Sequence, residues 1–199
     1  MNFYNPTPCI LEETVRGVQP IQIEDQLLRS REIFLTQEVN AETASALFKQ
    51  LLYLDRSEPG EYITLYLNSP GGEVTSGLGL YNLIRMMKSP VHTVCIGLAA
   101  SMASILFLAG KRRSMFPGTK LMIHDPSFGG ASLAGRKPNE IQKPLEDLLA
   151  TRDVLTSIIA ERTGLSPEKV QEMTAFDTFL TAEKSLELGF ATDILTKGV

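Results

Sequence analysis

The sequence predicts an α/β fold in which repeated βαβ units form a largely parallel sheet, together with one long protruding helix. Short runs of apolar, often β-branched residues alternate along the chain with longer segments whose apolar residues recur at helical spacing. Turns rich in glycine and proline join these strands to the helices that follow them. This order is the one expected of parallel strands linked by right-handed crossovers.

The individual elements follow from these periodicities and from the residues at helix ends. Asn40 is a favourable N-cap, and Gly164 and Gly189 are typical of helix C-termini. Residues 111–113 and 117–118 are predicted to form a turn, and residues 174–180 an irregular or extended piece. The predicted strands lie at residues 32–35, 62–67, 91–96, 120–125 and 190–195. The predicted helices lie at residues 24–31, 41–57, 74–87, 101–110, 141–164, from 166 onward, and 181–188.

The length and composition favour a single domain with an N-terminal extension. The chain has 199 residues, of which 43% are hydrophobic, enough for one substantial core, and no repeat or linker-like tract divides it. The first twenty residues contain Pro6, Pro8, Gly17 and Pro20, which is typical of an extended arm outside the packed core. We therefore expect an N-terminal arm at residues 1–20 and one domain at residues 21–199.

The composition also bears on the class of protein. A formal net charge of −4 argues against a nucleic-acid-binding surface. The first residues lack the basic and apolar regions of a signal peptide, and the longest largely apolar run, 101–109, is far shorter than the ~20 residues of a spanning helix. The two cysteines, Cys9 and Cys95, suggest neither a disulfide framework nor a metal cluster. We therefore expect a cytoplasmic protein that uses no metal, nucleic acid or membrane.

Ser101 lies where a buried strand turns into an apolar helix. The small residues Gly97, Ala99 and Ala100 allow a tight turn before it. Unpaired backbone N–H groups and the helix dipole at such an N-terminus favour negative charge, as the surroundings of a serine nucleophile require. Such a serine more often only caps its helix. The catalytic interpretation therefore depends on a base and an acid elsewhere in the chain.

The chain has two histidines that could act as the base. His92 lies near the start of the strand that precedes Ser101, roughly 20–30 Å away for an extended chain, and is excluded. His124 lies at the end of the next strand, at the sheet edge where the sites of parallel sheets gather. We therefore predict His124 as the general base; the alternative is a structural histidine held by a backbone group.

A histidine base needs a carboxylate that orients it. Asp125 is adjacent to His124, but neighbouring residues on a strand point to opposite faces, so it is set aside as structural. Asp177 lies between Phe176 and Phe179, and a carboxylate in an apolar setting needs a partner. We therefore predict Asp177 as the partner of His124; the alternative is a surface turn aspartate. The acidic residues expected to be solvated on the long helix are Asp147 and Asp153.

An earlier strand-to-helix turn, Asn68-Ser-Pro-Gly-Gly72, provides candidate oxyanion donors. Pro70 fixes the turn, while the two glycines allow a close backbone approach that a side chain would prevent. Such a turn is usually only a turn. If it ends a parallel strand beside the one before Ser101, however, its N–H groups point into the same crevice.

Four motifs follow one another along the chain, at residues 67–72, 97–104, 122–126 and 177–189. In this order they resemble the proteolytic subunit of the Clp protease, the ClpP family. The resemblance covers nearly the whole chain and is weakest at residues 127–145. It implies a ClpP/crotonase-type fold and a serine endopeptidase with the triad Ser101, His124 and Asp177. It also implies an oxyanion hole formed by the N–H groups of Gly72 and Met102.

The resemblance further implies how such a subunit works. Substrate peptide is expected as an added strand beside Gly71, Glu73 and Val74. Members of this family assemble as two stacked seven-subunit rings that receive unfolded polypeptide from an ATP-driven AAA+ unfoldase ring, with the arm at residues 1–20 as an axial segment. ATP is then used by the partner, and no cofactor is expected in this chain, which lacks a Gly-x-x-x-x-Gly-Lys-Ser/Thr loop.

The sequence departs from the family pattern at three places. Asp125 follows His124 where the family usually has glutamine, and residues 128–144 are unlike the usual pattern. Ala175 and Phe176 replace an Asp-Arg pair that links ring to ring in the family. These departures leave open a ring subunit that is inactive or weakly active alone and works with a second ClpP-type subunit. A crotonase-type acyl-CoA enzyme is the less favoured alternative.

Overall fold

The N-terminal part of the chain is a hairpin outside the main sheet. The structure, a computed structural model, describes residues 9–15, 17–128 and 135–197. In it β1 (Cys9–Thr14) pairs antiparallel with β2 (Gly17–Gln22), and the two strands form a sheet of their own. The arm predicted at residues 1–20 is thus extended over its described part, but its strands pair with each other and the pairing continues to Gln22. Its first eight residues lie outside the described ranges.

A mostly parallel sheet of seven strands organises the rest of the chain and confirms the predicted α/β class. Neighbouring strands are parallel throughout the order β3-β4-β5-β6-β9. Strand β7 pairs parallel with the end of β5 and antiparallel with β8. The strands are β3 (Glu32–Leu35), β4 (Ile63–Ser69), β5 (Val91–Ala100), β6 (Arg112–Met115), β7 (Lys120–Ile123), β8 (Thr178–Thr181) and β9 (Asp193–Ile194).

Local signals set the ends of several helices. Asn40 accepts hydrogen bonds from the N–H groups of Glu42 and Thr43 at 3.0 and 2.9 Å, so the predicted N-cap is confirmed. Gly164 ends the longest helix with a left-handed φ of 82°, as predicted. The helices are α1 (Ile23–Arg29), α2 (Ala41–Ser57), α3 (Val74–Met86), α4 (Met102–Ala109), α5 (Pro138–Thr163), α6 (Pro167–Thr174) and α7 (Ala182–Glu187).

Helix α4 lies at the centre of the core. Every one of its residues is buried, as expected of a helix that is apolar all round. It packs against β5, α3 and α5. Because α4 follows directly from β5, the strand-to-helix junction at Ser101 is held by packing on both sides.

Two segments predicted as turns, the one just before Ser101 and the one at residues 111–113, belong wholly or partly to strands in the structure. The strand predicted to end at residue 96 continues to Ala100, because Leu98 to Ala100 pair with β7. The turn predicted at residues 111–113 includes the start of β6, where Arg113 is only 8% exposed. The Arg113 guanidinium donates to the carbonyl oxygens of Phe190 and Gly189 at 2.6 and 3.0 Å, and burial lowers its pKa to about 10. These long-range partners make a buried strand arginine possible.

The C-terminal elements also differ in extent from the prediction. Residues 174–180, predicted as irregular or extended, contain the end of α6 and most of β8. The strand predicted at residues 190–195 is reduced to the two residues of β9. The Gly-rich part of the 128–144 segment at residues 129–134 lies outside the described residues.

Candidate active site

Ser101 joins β5 to α4 in a backbone conformation that is sparse for a residue with a side chain. Its φ is 52° and its ψ is −124°. The Ser101 N–H donates to the carbonyl oxygen of Met122 at 2.8 Å, and the Ser104 N–H and hydroxyl donate to the Ser101 carbonyl at 2.9 and 2.7 Å. These bonds hold the turn. The Ser101 hydroxyl consequently stands at the N-terminus of α4.

His124 meets the Ser101 hydroxyl. It follows β7 directly, and its Nε2 lies 2.8 Å from Ser101 Oγ. The parallel pairing of β5 with β7 brings the two residues together, because both lie just beyond the ends of adjacent strands. A hydrogen bond of this length allows the imidazole to accept the hydroxyl proton.

Asp177 lies on the other side of the imidazole. Its Oδ1 is 3.4 Å from His124 Nδ1, and its side chain is 67% exposed. The predicted partnership in space is therefore present, but the predicted apolar setting is wrong. Phe176 and Phe179 are 82% and 56% exposed, so these rings turn outward and do not enclose the carboxylate.

A backbone contact ties the two flanks of this histidine together. The Asp125 N–H donates to the carbonyl oxygen of Thr174 at 2.7 Å. Thr174 ends α6, shortly before Asp177. This bond joins the segment after β7 to the segment that carries Asp177. It thereby helps to hold Asp177 close to the His124 ring.

Gly71 allows the Gly-Gly turn to approach the nucleophile closely. Its φ is 91°, and a Cβ at this position would come within 2.8 Å of both the Met102 nitrogen and the Ser101 Cβ. Only glycine tolerates this combination of conformation and contact. The turn therefore lies directly against the start of α4, and Met102 is the first residue of that helix, where N–H groups have no partner within the helix.

Val39 orients the Gly-Gly turn from its other side. The Val39 N–H donates to the Gly71 carbonyl at 2.8 Å, and the Glu73 N–H donates to the Val39 carbonyl at 2.7 Å. Main-chain groups of successive residues in an extended segment point to opposite sides. The N–H of Gly72 therefore points away from Val39, which leaves it available to a ligand.

The main-chain groups of the predicted substrate-binding segment are unequally available. The Gly71 N–H donates to the Ser69 hydroxyl at 3.2 Å, and the Glu73 carbonyl accepts from the Gly77 N–H at 3.1 Å. With the bonds to Val39, both main-chain groups of Gly71 and of Glu73 are already used. An added substrate strand at this point depends mainly on Gly72.

A pocket of about 440 Å³, including its open mouth, borders the Ser101 hydroxyl. Its walls come from α3, α4, α5, α6 and the segment after β7. Half of the residues that line it are apolar, and the other half are polar or charged. The lining residues are Val74, Ser101, Met102, Ser104, Ile105, Ile123, His124, Asp125, Pro126, Arg152, Leu155, Thr156, Ile159 and Thr174.

Asp125 lines this pocket, although we expected it on the opposite face of the strand from His124. The expectation was wrong because β7 ends at Ile123. Beyond the strand, alternation no longer applies, and both residues line the pocket that borders Ser101.

The wall contributed by α5 was missed in the sequence. Four lining residues share one face of α5, because the last three follow the first by three, four and seven positions: Arg152, Leu155, Thr156 and Ile159. The sequence contains this spacing, but it does not show which other element packs against this helix face. Only the fold places this face beside Ser101.

The second histidine lies elsewhere. His92 is near the start of β5, with its Nε2 2.7 Å from Ser114 Oγ, so the structure does not bring it to Ser101. Within residues 9–15, 17–128 and 135–197, no group of three or more His, Cys, Asp or Glu side chains is arranged to hold a metal ion. The helices of the same ranges include none with the length and apolar character needed to cross a bilayer.

Comparison with protein-family models gives a match over almost the entire chain. The matching family is described as Clp protease, and the match covers residues 15–198. It includes Ser101, His124 and Asp177, as well as both glycines of the Gly-Gly turn.

Proposed function

Because the chain belongs to the Clp protease family, we propose that it is a serine endopeptidase that hydrolyses peptide bonds of unfolded proteins. The observation that carries the proposal is the 2.8 Å contact between Ser101 Oγ and His124 Nε2 at a helix N-terminus. Asp177 is the acid of the proposed triad, and the N–H groups of Gly72 and Met102 are the proposed oxyanion donors.

In the first half of the proposed reaction, His124 takes the Ser101 hydroxyl proton as the oxygen attacks a peptide carbonyl carbon. The negative charge that develops on the carbonyl oxygen is held by the N–H groups of Gly72 and Met102. Each such donor contributes about 10²–10³ in rate. Collapse of the tetrahedral intermediate breaks the C–N bond, and His124 gives its proton to the leaving amine.

In the second half, water hydrolyses the ester formed on Ser101. His124 takes a proton from the water, whose oxygen attacks the ester carbonyl, and the same N–H groups hold the oxyanion. The Ser101 oxygen then leaves and recovers the proton from His124. Asp177 stabilises the imidazolium in both halves and favours the tautomer with the proton on Nδ1.

The family supports a proposal about assembly and partners. ClpP-family proteins generally form rings that work with unfoldase partners. We propose that this chain forms two stacked seven-subunit rings in the cytoplasm and receives unfolded polypeptide from an AAA+ unfoldase. ATP is hydrolysed by that partner. Substrate lies beside Gly71, Glu73 and Val74, with Gly72 as its main pairing residue.

Labelling by a fluorophosphonate tests the proposed nucleophile. The native chain is expected to gain one adduct, detected by intact mass, because only an activated serine reacts readily. Ser101→Ala is expected to abolish the adduct, whereas Ser45→Ala, at an exposed position of α2, is expected to retain it. An adduct that survives Ser101→Ala would place the reactive serine elsewhere.

A second proposal is a ring subunit that needs a different ClpP-type subunit for full activity. It is favoured by Phe176, which is 82% exposed next to Asp177, and by the 3.4 Å separation of Asp177 from His124. The same labelling distinguishes the two proposals. No adduct on the folded native chain alone, followed by labelling of Ser101 after mixing with such a subunit, would favour the second.

A further inference from the structure

The pocket beside Ser101 is suited to hold one substrate side chain. It borders the nucleophile, so it faces the residue whose carbonyl is attacked in the proposed reaction. Ile105, Leu155 and Ile159 contribute buried aliphatic surface, with exposed fractions of 4%, 9% and 3%. These walls fit an aliphatic stem.

Two charged residues line this pocket, Asp125 and Arg152. The Arg152 guanidinium pairs with Asp153 Oδ1 at 3.2 Å, so its charge is partly neutralised within α5. Across the described ranges, no hydrogen bond or ion pair holds the Asp125 carboxylate, and only its backbone N–H is bound, by Thr174. Among the described residues, the Asp125 carboxylate is thus a negative charge without a hydrogen-bond or ion-pair partner.

We propose that Asp125 makes this pocket select a residue with an aliphatic stem and a cationic tip, lysine or arginine, on the acyl side of the cleaved bond. The inference rests on the proposed function. The stem packs against the aliphatic walls while the cation meets the carboxylate of Asp125, which is partly exposed. A purely aliphatic side chain covers the same carboxylate without giving it a partner, which is unfavourable.

The positive charge of Arg152 is expected to repel a cationic side chain. The proposal can therefore be tested by removing either charge, with opposite expected effects. The Arg152 guanidinium lines the same pocket and is 33% exposed. Removal of its charge is expected to strengthen the attraction of a cationic tip. Removal of the Asp125 charge is expected to weaken it.

Two peptidyl diphenyl phosphonates provide a matched pair of probes. They share one peptide sequence and differ only in a lysine or norleucine side chain at the residue that carries phosphorus. Norleucine has a similar unbranched stem without the charge. The Ser101 oxygen displaces phenoxide from phosphorus, and the adduct is followed by intact mass. The measured quantity is the ratio of the two labelling rates.

The ratio of lysine to norleucine labelling is expected to fall about fivefold in Asp125→Asn, as for loss of a partly exposed ion pair. It is expected to rise in Arg152→Gln. Asp147→Asn removes the same charge from an exposed position of α5 that does not line the pocket, and is expected to leave the ratio unchanged. High salt is expected to lower the native ratio.

The outcomes separate this inference from the proposed function. If fluorophosphonate labels Ser101 but the ratio is the same in the native chain and Asp125→Asn, the specificity inference is overturned while the nucleophile stands. If Ser101 accepts neither fluorophosphonate nor phosphonate, both are overturned. A fall in Asp147→Asn equal to that in Asp125→Asn would show a general charge effect and also overturn the inference.

Discussion

A histidine, a serine and an aspartate lie together near each end of β5, but the three side chains meet in a different order at the two ends. Near the start of β5, His92 Nε2 lies 2.7 Å from Ser114 Oγ, which donates to Asp193 Oδ1 at 2.8 Å. Beyond its end, the serine and the aspartate lie on opposite sides of His124, at 2.8 and 3.4 Å. The middle position is held by a serine in the first network and by a histidine in the second.

This order decides which histidine can act as a base. A hydroxyl can donate only one hydrogen bond, and the Ser114 hydroxyl donates its hydrogen bond to Asp193. His92 must then donate to Ser114 through Nε2, so it does not accept from that hydroxyl. At the other end, His124 is free to accept from Ser101, because its other nitrogen faces a carboxylate.

The two aspartates also differ in their surroundings. Arg112 donates to both carboxylate oxygens of Asp193, at 3.2 and 2.9 Å. Burial acts to raise the pKa of Asp193, but the hydrogen bonds from Arg112, Ser114 and Thr192 outweigh it, and the pKa is lowered. Asp177 is 67% exposed, and its Oδ1 lies 3.4 Å from His124 Nδ1. The comparison teaches that the same three residue types can use up the serine hydroxyl proton on a carboxylate or leave it facing an imidazole nitrogen, according to the order in which the side chains meet.

The largest expected difference is between the two histidines. His124→Ala is expected to slow fluorophosphonate labelling of Ser101 by about 10²–10⁴-fold, because the base is lost. His92→Ala is expected to leave the labelling rate unchanged, since its network does not reach Ser101. Thermal melting of both variants is the control for folding. An equal loss of labelling in a folded His92→Ala variant would contradict the comparison.

The two aspartates are expected to separate activity from stability. Asp177→Asn is expected to slow labelling about 10–100-fold, less than loss of the base, because the contact between Asp177 and His124 is long and exposed. Asp193→Asn is expected to retain the labelling rate and to lower the free energy of unfolding by about 1 kcal/mol, since its bonds with Arg112 and Ser114 weaken. Urea unfolding measures the second effect. The comparison fails if the two variants change the same quantity.

The smallest expected effect is the contribution of His92 to the pH dependence of stability. Burial lowers the pKa of His92, and Arg112 lowers it further, while Asp193 opposes the shift. Below about pH 6.5, the unfolded state therefore binds more protons at this residue than the folded state does. The free energy of unfolding consequently decreases as the pH is lowered. Urea unfolding at pH 7 and pH 5.5 is expected to show a smaller loss in His92→Asn than in the native chain. An unchanged loss would mean that His92 does not contribute.

The sequence allowed the meeting of Ser101 and His124 beyond the end of β5 to be predicted, because its signals are local. Ser101 follows an apolar strand and precedes an apolar helix, and His124 follows the next strand. Parallel strands place such ends together. The roles of these residues, and of Asp177, Gly72 and Met102, remain predictions for the labelling experiments.

Other features were not predictable because they depend on contacts between distant segments. β6 was missed because Arg112 and Arg113 resemble a surface turn until Asp193 and the carbonyl of Phe190 are brought to them. The network around His92 has the same origin. It joins residues from β5, β6 and β9 that have no common local pattern.

The sequence by itself determined the alternation of strands and helices, the caps at Asn40 and Gly164, and the small set of residues able to serve as nucleophile and base. These follow from backbone propensity and from the scarcity of histidine. The tertiary structure alone decided that Asp125 lines the pocket beside Ser101, that Asp177 is exposed, and that His92 donates to Ser114. Hydrogen-bond order and burial are set by atoms brought together from distant parts of the chain, and a linear pattern does not contain those distances.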